Sequence, residues 1–161
     1  MKNPELSIIL PCRNEEQALP RCLKQIKKVI LQSNIDAEII VSDSSIDRSP
    51  EIAKKHGVRL VKHDKKGYGI AYLEGIRAAK GKFILMADAD CTYDFNDIPK
   101  FLHFLKQGND LVIGNRFGKK LGSGISRNSC LSFFFCRSGF DLSISSCNMG
   151  YLYSVNFVLY N

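Results

Sequence analysis

The stretch Phe83-Ile84-Leu85-Met86-Ala87-Asp88-Ala89-Asp90 decides how this chain folds. Five consecutive apolar residues predict a strand buried on both faces, as in a parallel sheet covered above and below by helices. Such a run ends in two carboxylates where it leaves the core at a place that uses charge. In open α/β sheets that place is the crevice outside the carboxyl ends of the strands. Residues two apart in an extended segment point the same way, so Asp88 and Asp90 are expected on one side. Like charges held that close repel, and a bound divalent cation relieves them. An all-oxygen ligand set favours Mg²⁺ or Mn²⁺ over Zn²⁺. The alternative is an ordinary acidic turn, because Asp-x-Asp is short enough to recur by chance.

Outward from this strand, helix and strand patterns alternate. Leu6 to Pro11 predicts the first strand, with Pro11 at its end because proline cannot donate to a sheet ladder. A helix over about 15–33 carries Leu19, Cys22, Leu23, Ile26, Val29 and Ile30 on one stripe. Residues 36–42 predict a second strand running into the polar, helix-capping segment 43–50, with a short helix ending near His56 and Gly57 at C′. A third strand over 58–62, a helix over about 67–79, the strand at 83–87, a loop over 88–96, a helix over 97–107 and a strand over 110–114 complete the series. Short-spaced alternation of this kind predicts βαβ units and a largely parallel sheet. After Phe117 the pattern weakens into a basic linker, Gly118 to Gly124. The apolar run Cys130 to Cys136, beside Arg127 and Arg137, is read as a helix, either at a membrane interface or in the core. Tyr151 to Tyr160 is read as one strand.

The 161 residues, 45% hydrophobic and 24% charged, suit a single domain with a sizeable core. No run approaches the roughly 18 apolar residues that a membrane span needs. Pro4 and Glu5 stand where a signal peptide would build its apolar region. The six cysteines include no C-x-x-C pair and no zinc spacing, which points to reduced thiols and a cytoplasmic setting. A net charge of +7 suggests an anionic partner: a nucleotide phosphate, a lipid phosphate or a membrane surface. Nucleic acid is not expected, since no reading motif accompanies the charge. Lysines 24, 27 and 28, and Lys54 with Lys55, are equally explained as solvated helix faces.

A parallel sheet would bring Pro11 to Glu15, Asp43 to Asp47 and Asp88 to Asp90 to one edge. Asp43 and Glu15 there can accept hydrogen bonds from a base or ribose. The helix opening at Gly67 and Gly69, preceded by Lys65 and Lys66, offers free N–H groups and a positive dipole end suited to phosphate. Its Gly-x-Gly lacks the third glycine and the leading strand of a dinucleotide fingerprint, and an ordinary tight turn is the alternative.

Five segments then occur in a recognisable order: Leu-Pro-Cys-Arg-Asn-Glu-Glu (10–16), Val-Ser-Asp-Ser-Ser-Ile-Asp (41–47), Lys-Gly-Tyr-Gly-Ile-Ala-Tyr-Leu-Glu-Gly (66–75), Met-Ala-Asp-Ala-Asp (86–90) and Ile-Gly-Asn-Arg-Phe (113–117). Over roughly residues 5–117 the chain resembles glycosyltransferase family 2, and within it the polyprenyl-phosphate (dolichyl-phosphate-type) mannosyl- and glucosyltransferases. The resemblance implies a GT-A fold, a Rossmann-like three-layer α/β/α sandwich, and inverting transfer of a hexose from a nucleotide-diphosphate sugar to a polyprenyl-phosphate or other lipid-phosphate acceptor. It implies that Pro11, Asn14 and Glu15 line the nucleotide pocket, that Asp43 holds the base, and that Lys66, Gly67 and Gly69 border the nucleotide. Asp88 is then placed at the ribose or sugar, and Asp90 at the Mg²⁺ or Mn²⁺ that bridges the diphosphate. Arg116 is placed near the donor diphosphate and the acceptor phosphate, a surface arginine being the alternative. Thr92 falls where some relatives carry a metal-binding glutamine.

Relatives continue past the point where this chain stops, and 118–161 reads as a shortened acceptor-side segment attached to a nucleotide-sugar-binding core, 1–117. A catalytically impaired nucleotide-sugar-binding or assembly module is therefore an alternative to the enzyme. A nucleotidyltransferase is another, though its Gly-rich N-terminal signature is missing. Peripheral contact with the cytoplasmic membrane face and a homodimer formed through exposed apolar surface are further expectations.

Overall fold

A computed structural model describes residues 2–114, 132–137 and 157–160. The strands are β1 (Leu6–Cys12), β2 (Ala37–Asp43), β3 (Arg59–Lys62), β4 (Phe83–Met86), β5 (Leu111–Gly114), β6 (Ser132–Arg137) and β7 (Phe157–Tyr160). The helices are α1 (Leu19–Gln32), α2 (Ser49–Lys55), α3 (Tyr68–Ala78) and α4 (Ile98–Lys106), the last preceded by a 3-10 turn over Phe95–Asp97. The strands form one sheet in the order β3-β2-β1-β4-β6-β5-β7, with β4 in the middle. Ladders β1–β2, β1–β4, β2–β3 and β5–β7 are parallel, while β6 runs antiparallel between β4 and β5. The expected mainly parallel α/β architecture is present.

Both faces of β4 are covered, as its unbroken apolar run requires. Phe83 and Leu85 pack with β1 residues Leu6, Ile8 and Leu10 and with the buried faces of α1, α2 and α4. Ile84 points the other way, to Ile9 and to Tyr72 of α3. These are the three layers of the sandwich. Gly75 lets α3 lie close against β1, since a Cβ there would sit 2.3 Å from Ile9 Cγ2. Lysines 24, 27, 28, 54 and 55 are exposed, in keeping with solvated helix faces. No helix among the described residues is long and apolar enough to cross a membrane.

The expected helix over Cys130–Cys136 is corrected. Residues 132–137 form a strand whose backbone pairs with β4 on one side and β5 on the other. A short apolar run carries no periodicity that separates a buried helix from a central strand. The pairing partners, distant in sequence, decide it. The first helix also begins at Leu19 rather than near 15, leaving Glu15 in the loop.

Candidate active site

The carboxyl ends of β1, β2 and β4 lie along one edge of the sheet. The chain leaves β1 toward β2 on one side, while β4 occupies the other side. That reversal makes the ligand-binding crevice of an open α/β sheet. A cavity of about 330 Å³ opens there, lined in part by Pro11, Glu15, Gly67, Tyr68, Asp88 and Asp90. A second cavity, of about 690 Å³, takes Asn14, Lys62, His63 and Lys66 into its wall. The two share Arg13 and Ser44. Gly69 has open space around it and lines neither. Arg116 lies outside the described residues.

The loops after β1 and β2 are stitched together. The Asn14 N–H donates to Ser45 Oγ at 2.8 Å, and the Ile46 N–H donates to Asn14 Oδ1 at 3.1 Å. The Glu15 N–H donates to Ser49 Oγ at 3.1 Å and the Glu16 N–H to Asp47 Oδ2 at 3.1 Å. Asn14 sits at φ 60°, a left-handed conformation that asparagine tolerates better than most residues. Its side chain therefore shapes the loop as well as facing the cavity.

Asp43 ends β2 fully buried, with the Cys12 thiol close enough to act on its carboxylate and, among the described residues, no N–H or O–H donor on either oxygen. A buried carboxylate poor in donors is costly, and Asp43 lies behind the site, lining neither cavity. The neighbouring Cys12 thiol is pushed up to about 11, chiefly by burial, with the charge of Asp43 adding to it against the hydrogen bonds of Ser49 and Ser45. It stays a protonated thiol and offers no nucleophile at neutral pH.

Asp88 is held by three tyrosines. Its Oδ1 accepts from the Tyr68 and Tyr72 hydroxyls, the latter at 3.3 Å, and its Oδ2 accepts from Tyr93 at 2.9 Å. Burial first, and then hydrogen bonding within the cluster, raises the pKa of Tyr68 and Tyr72, so both remain donors. The Asp88 backbone carbonyl faces the Cys22 thiol at 3.6 Å.

Asp90 is exposed, and its Oδ1 accepts from the Thr92 N–H at 2.9 Å and from Thr92 Oγ1 at 2.6 Å. The extended-strand argument for a shared side does not hold, because β4 ends at Met86 and Ala89–Asp90 form a turn. The turn nevertheless leaves both aspartates in one cavity wall. Glu15 faces them, and its carboxyl is held above the usual range by partial burial and then by the charges of Asp90, Asp47 and Asp88.

Among the described residues, no three His, Cys, Asp or Glu side chains converge as a ready-made metal cage. The donor set still fits a hard divalent cation. Mg²⁺ and its analogues are held by one or two carboxylates together with substrate phosphates and water, rather than by an all-protein cage. Asp90 is exposed and pre-oriented by Thr92, beside carboxylates that repel one another.

The one sequence signal for the tyrosine cluster is the i, i+4 spacing that puts Tyr68 and Tyr72 on one helix face. Ser45 and Ser49 carry no signal beyond being polar turn residues, while Thr92, which the resemblance sets where some relatives have a metal-binding glutamine, donates to Asp90.

The sequence profile described as glycosyl transferase family 2 matches residues 7–144. The low-salt glycan biosynthesis hexosyltransferase of Haloferax volcanii is 42% identical over 114 residues, covering 70% of this chain and 28% of the relative. The dolichyl-phosphate hexose transferase of the same organism is 35% identical, covering 71% and 49%. The chain thus spans half or less of the length of these curated relatives. Among solved structures, glucosyl-3-phosphoglycerate synthase from Mycobacterium tuberculosis in complex with Mn²⁺, UDP and glucosyl-3-phosphoglycerate superposes with a TM-score of 0.65. Its identity is 21%, and the match covers 84% of this chain and 57% of that one. Mannosyl-3-phosphoglycerate synthase from Rubrobacter xylanophilus gives a TM-score of 0.63 at 21% identity, covering 70% and 40%. At such identities these two structures speak to the fold alone.

Proposed function

The chain belongs to glycosyl transferase family 2, and from that premise we propose that it carries the donor site of an inverting hexosyltransferase that uses a nucleotide-diphosphate sugar and a polyprenyl-phosphate-type acceptor. The observation that carries this reading is the set of three carboxylates, Glu15, Asp88 and Asp90, around one cavity at the β1/β4 crevice. Unbalanced negative charge there suits a cation that arrives with a diphosphate. The dolichyl-phosphate hexose transferase relative supports the acceptor class.

In this reading Pro11 walls the nucleotide, Asn14 shapes its loop, and Asp43 accepts an N–H of the base. Lys66 and Gly67 border the nucleotide, and Gly69 keeps the start of α3 free of side chains. Asp88 accepts a hydroxyl of the ribose or hexose. Asp90 would hold Mg²⁺ or Mn²⁺, which supplies positive charge to the departing nucleoside diphosphate. Arg116 is assigned to the donor diphosphate and the acceptor phosphate. An acceptor phosphate oxygen, already ionised at neutral pH, attacks the anomeric carbon in line. The new C–O bond forms as the bond to the diphosphate breaks, and the configuration inverts. No strong general base is needed, so positioning and electrostatics supply the rate. A lipid-linked acceptor sets this edge of the sheet toward the cytoplasmic face of a membrane.

Calorimetric titration with UDP and GDP, with and without Mn²⁺, tests the reading. One nucleotide should bind with metal dependence, and Asp90→Ala should weaken that binding at least about tenfold, the scale expected for loss of a charged contact. Metal-independent binding unaffected by Asp90→Ala would overturn it.

A further inference from the structure

Asp88 is already satisfied by the protein, and this bears on how any ligand hydroxyl reaches it. We propose that Tyr68 is a positioning residue: in the ligand-free molecule it occupies the Asp88 oxygen that a ligand hydroxyl takes over, while Tyr72 and Tyr93 hold the carboxylate in place. The inference rests on the donor-site reading above.

The three tyrosines are not equivalent. Tyr72 is 6% exposed and packs between α3 and the sheet, whereas Tyr68 is 60% exposed and forms part of the cavity wall. Tyr93 is half-buried and comes from the loop after Asp90. The Tyr68 ring meets Tyr72 edge-on, with centroids 4.9 Å apart and planes at 88°. Their hydroxyls are 3.1 Å apart. Tyr68 opens α3 between Gly67, at φ 129°, and Gly69, whose surroundings are empty. Neither neighbour has a Cβ to restrain the turn, so Tyr68 can leave without disturbing Tyr72 and Tyr93.

The hydrogen-bond inventory makes this an exchange. A carboxylate offers about two lone-pair sites on each oxygen. Tyr68 and Tyr72 fill those of Oδ1, while Tyr93 takes one on Oδ2, so a ligand hydroxyl reaches Oδ1 only by displacing a tyrosine. When Tyr68 leaves, Tyr72 remains on Oδ1 and Tyr93 on Oδ2, and one site on Oδ1 opens toward the cavity. Hydroxyl bonds to a carboxylate oxygen are strong, so the opened site favours a ligand hydroxyl that is held there over loosely bound water. The chemical class that fits is a sugar hydroxyl of the ribose or hexose.

The test uses the whole chain. UDP and GDP are titrated with Mn²⁺ into wild type, Tyr68→Phe and Tyr93→Phe, with tyrosine emission followed in parallel. Six tyrosines and no tryptophan make that emission readable. Removing the competitor should tighten Tyr68→Phe binding roughly three- to tenfold, while Tyr93→Phe, which loses an orienting bond, should weaken it by a similar factor. Nucleotide should raise the emission of wild type as a phenol leaves the carboxylate, and that rise should be absent from Tyr68→Phe. Unchanged melting of Tyr68→Phe will show that its fold is intact. Binding by wild type that Tyr68→Phe leaves equal or weakens would overturn the exchange and leave the donor site standing. Failure of wild type to bind either nucleotide would overturn the donor-site reading and the exchange with it.

Discussion

The two edges of the sheet treat their polar groups in opposite ways. At the amino edge, Glu38 accepts from buried Ser7 at 2.6 Å and from the Lys80 N–H at 2.6 Å, and it pairs with Arg59 at 3.5 Å. The Gly81 N–H donates to Ser7 Oγ at 2.8 Å, and Glu5 pairs with Lys106 at 2.9 Å. At the carboxyl edge, Asp43 is as buried as Ser7 yet, among the described residues, has no N–H or O–H donor, and Glu15 faces two aspartates across a cavity. One edge is finished by the protein's own groups. The other leaves Asp43 and Glu15 poorly matched even though tyrosines and Thr92 serve Asp88 and Asp90, the pattern expected where stability is traded for binding.

That contrast can be broken at either edge. The largest effect is expected at Gly81, where a Cβ would sit 2.5 Å from the Ser7 backbone N. Gly81→Ala should cost about 3 kcal/mol, since backbone has to move, and urea denaturation will measure it. Glu38→Ala strands the buried Ser7 hydroxyl, while the exposed Lys80 N–H turns to water, and it should cost about 1.5 kcal/mol by the same assay. Asp43→Asn should do the reverse, stabilising the ligand-free protein by about 1 kcal/mol because a buried carboxyl poor in donors is replaced by a neutral amide. Calorimetry should find its nucleotide binding weakened at least about tenfold. Equal destabilisation by Glu38→Ala and Asp43→Asn would erase the distinction between the edges.

The smallest effect sharpens the comparison through pH. The Glu15 carboxyl is raised by burial and by Asp90, Asp47 and Asp88, so the folded protein binds that proton more readily than the unfolded chain does. The repulsion therefore destabilises the fold above the Glu15 pKa and disappears as pH falls through it. Glu15→Gln should raise stability at pH 7 by no more than about 0.5 kcal/mol after solvent screening. Well below pH 4 the gain should vanish, and thermal melts at the two conditions will check this.

Much of this layout is legible in the sequence. The apolar run at 83–87 predicted a strand covered on both faces, and Phe83 and Ile84 do bury into opposite layers. Elements formed within βαβ units read well because periodicity and capping are local. β6 did not, since Phe133 to Cys136 fit a helix equally well until β4 and β5 supply their ladders. At the site, the carboxylates were visible because charge after an apolar strand is unusual. Their supports were not: Tyr68, Tyr72 and Tyr93 reach Asp88 from two separate segments, and a hydroxyl at such a distance in sequence leaves no pattern.

The antiparallel β6 also orders events in time. Strands β1 to β4 come from residues 6–86 in consecutive passes, so that half of the sheet can pair as synthesis proceeds. The outer edge of β4 must wait for residues 132–137, with its N–H and C=O groups facing water and any passing strand. The strand whose end leads to Asp88 and Asp90 is thus closed late in folding, and a nascent chain is most prone to aggregate along the line where the finished protein is most central.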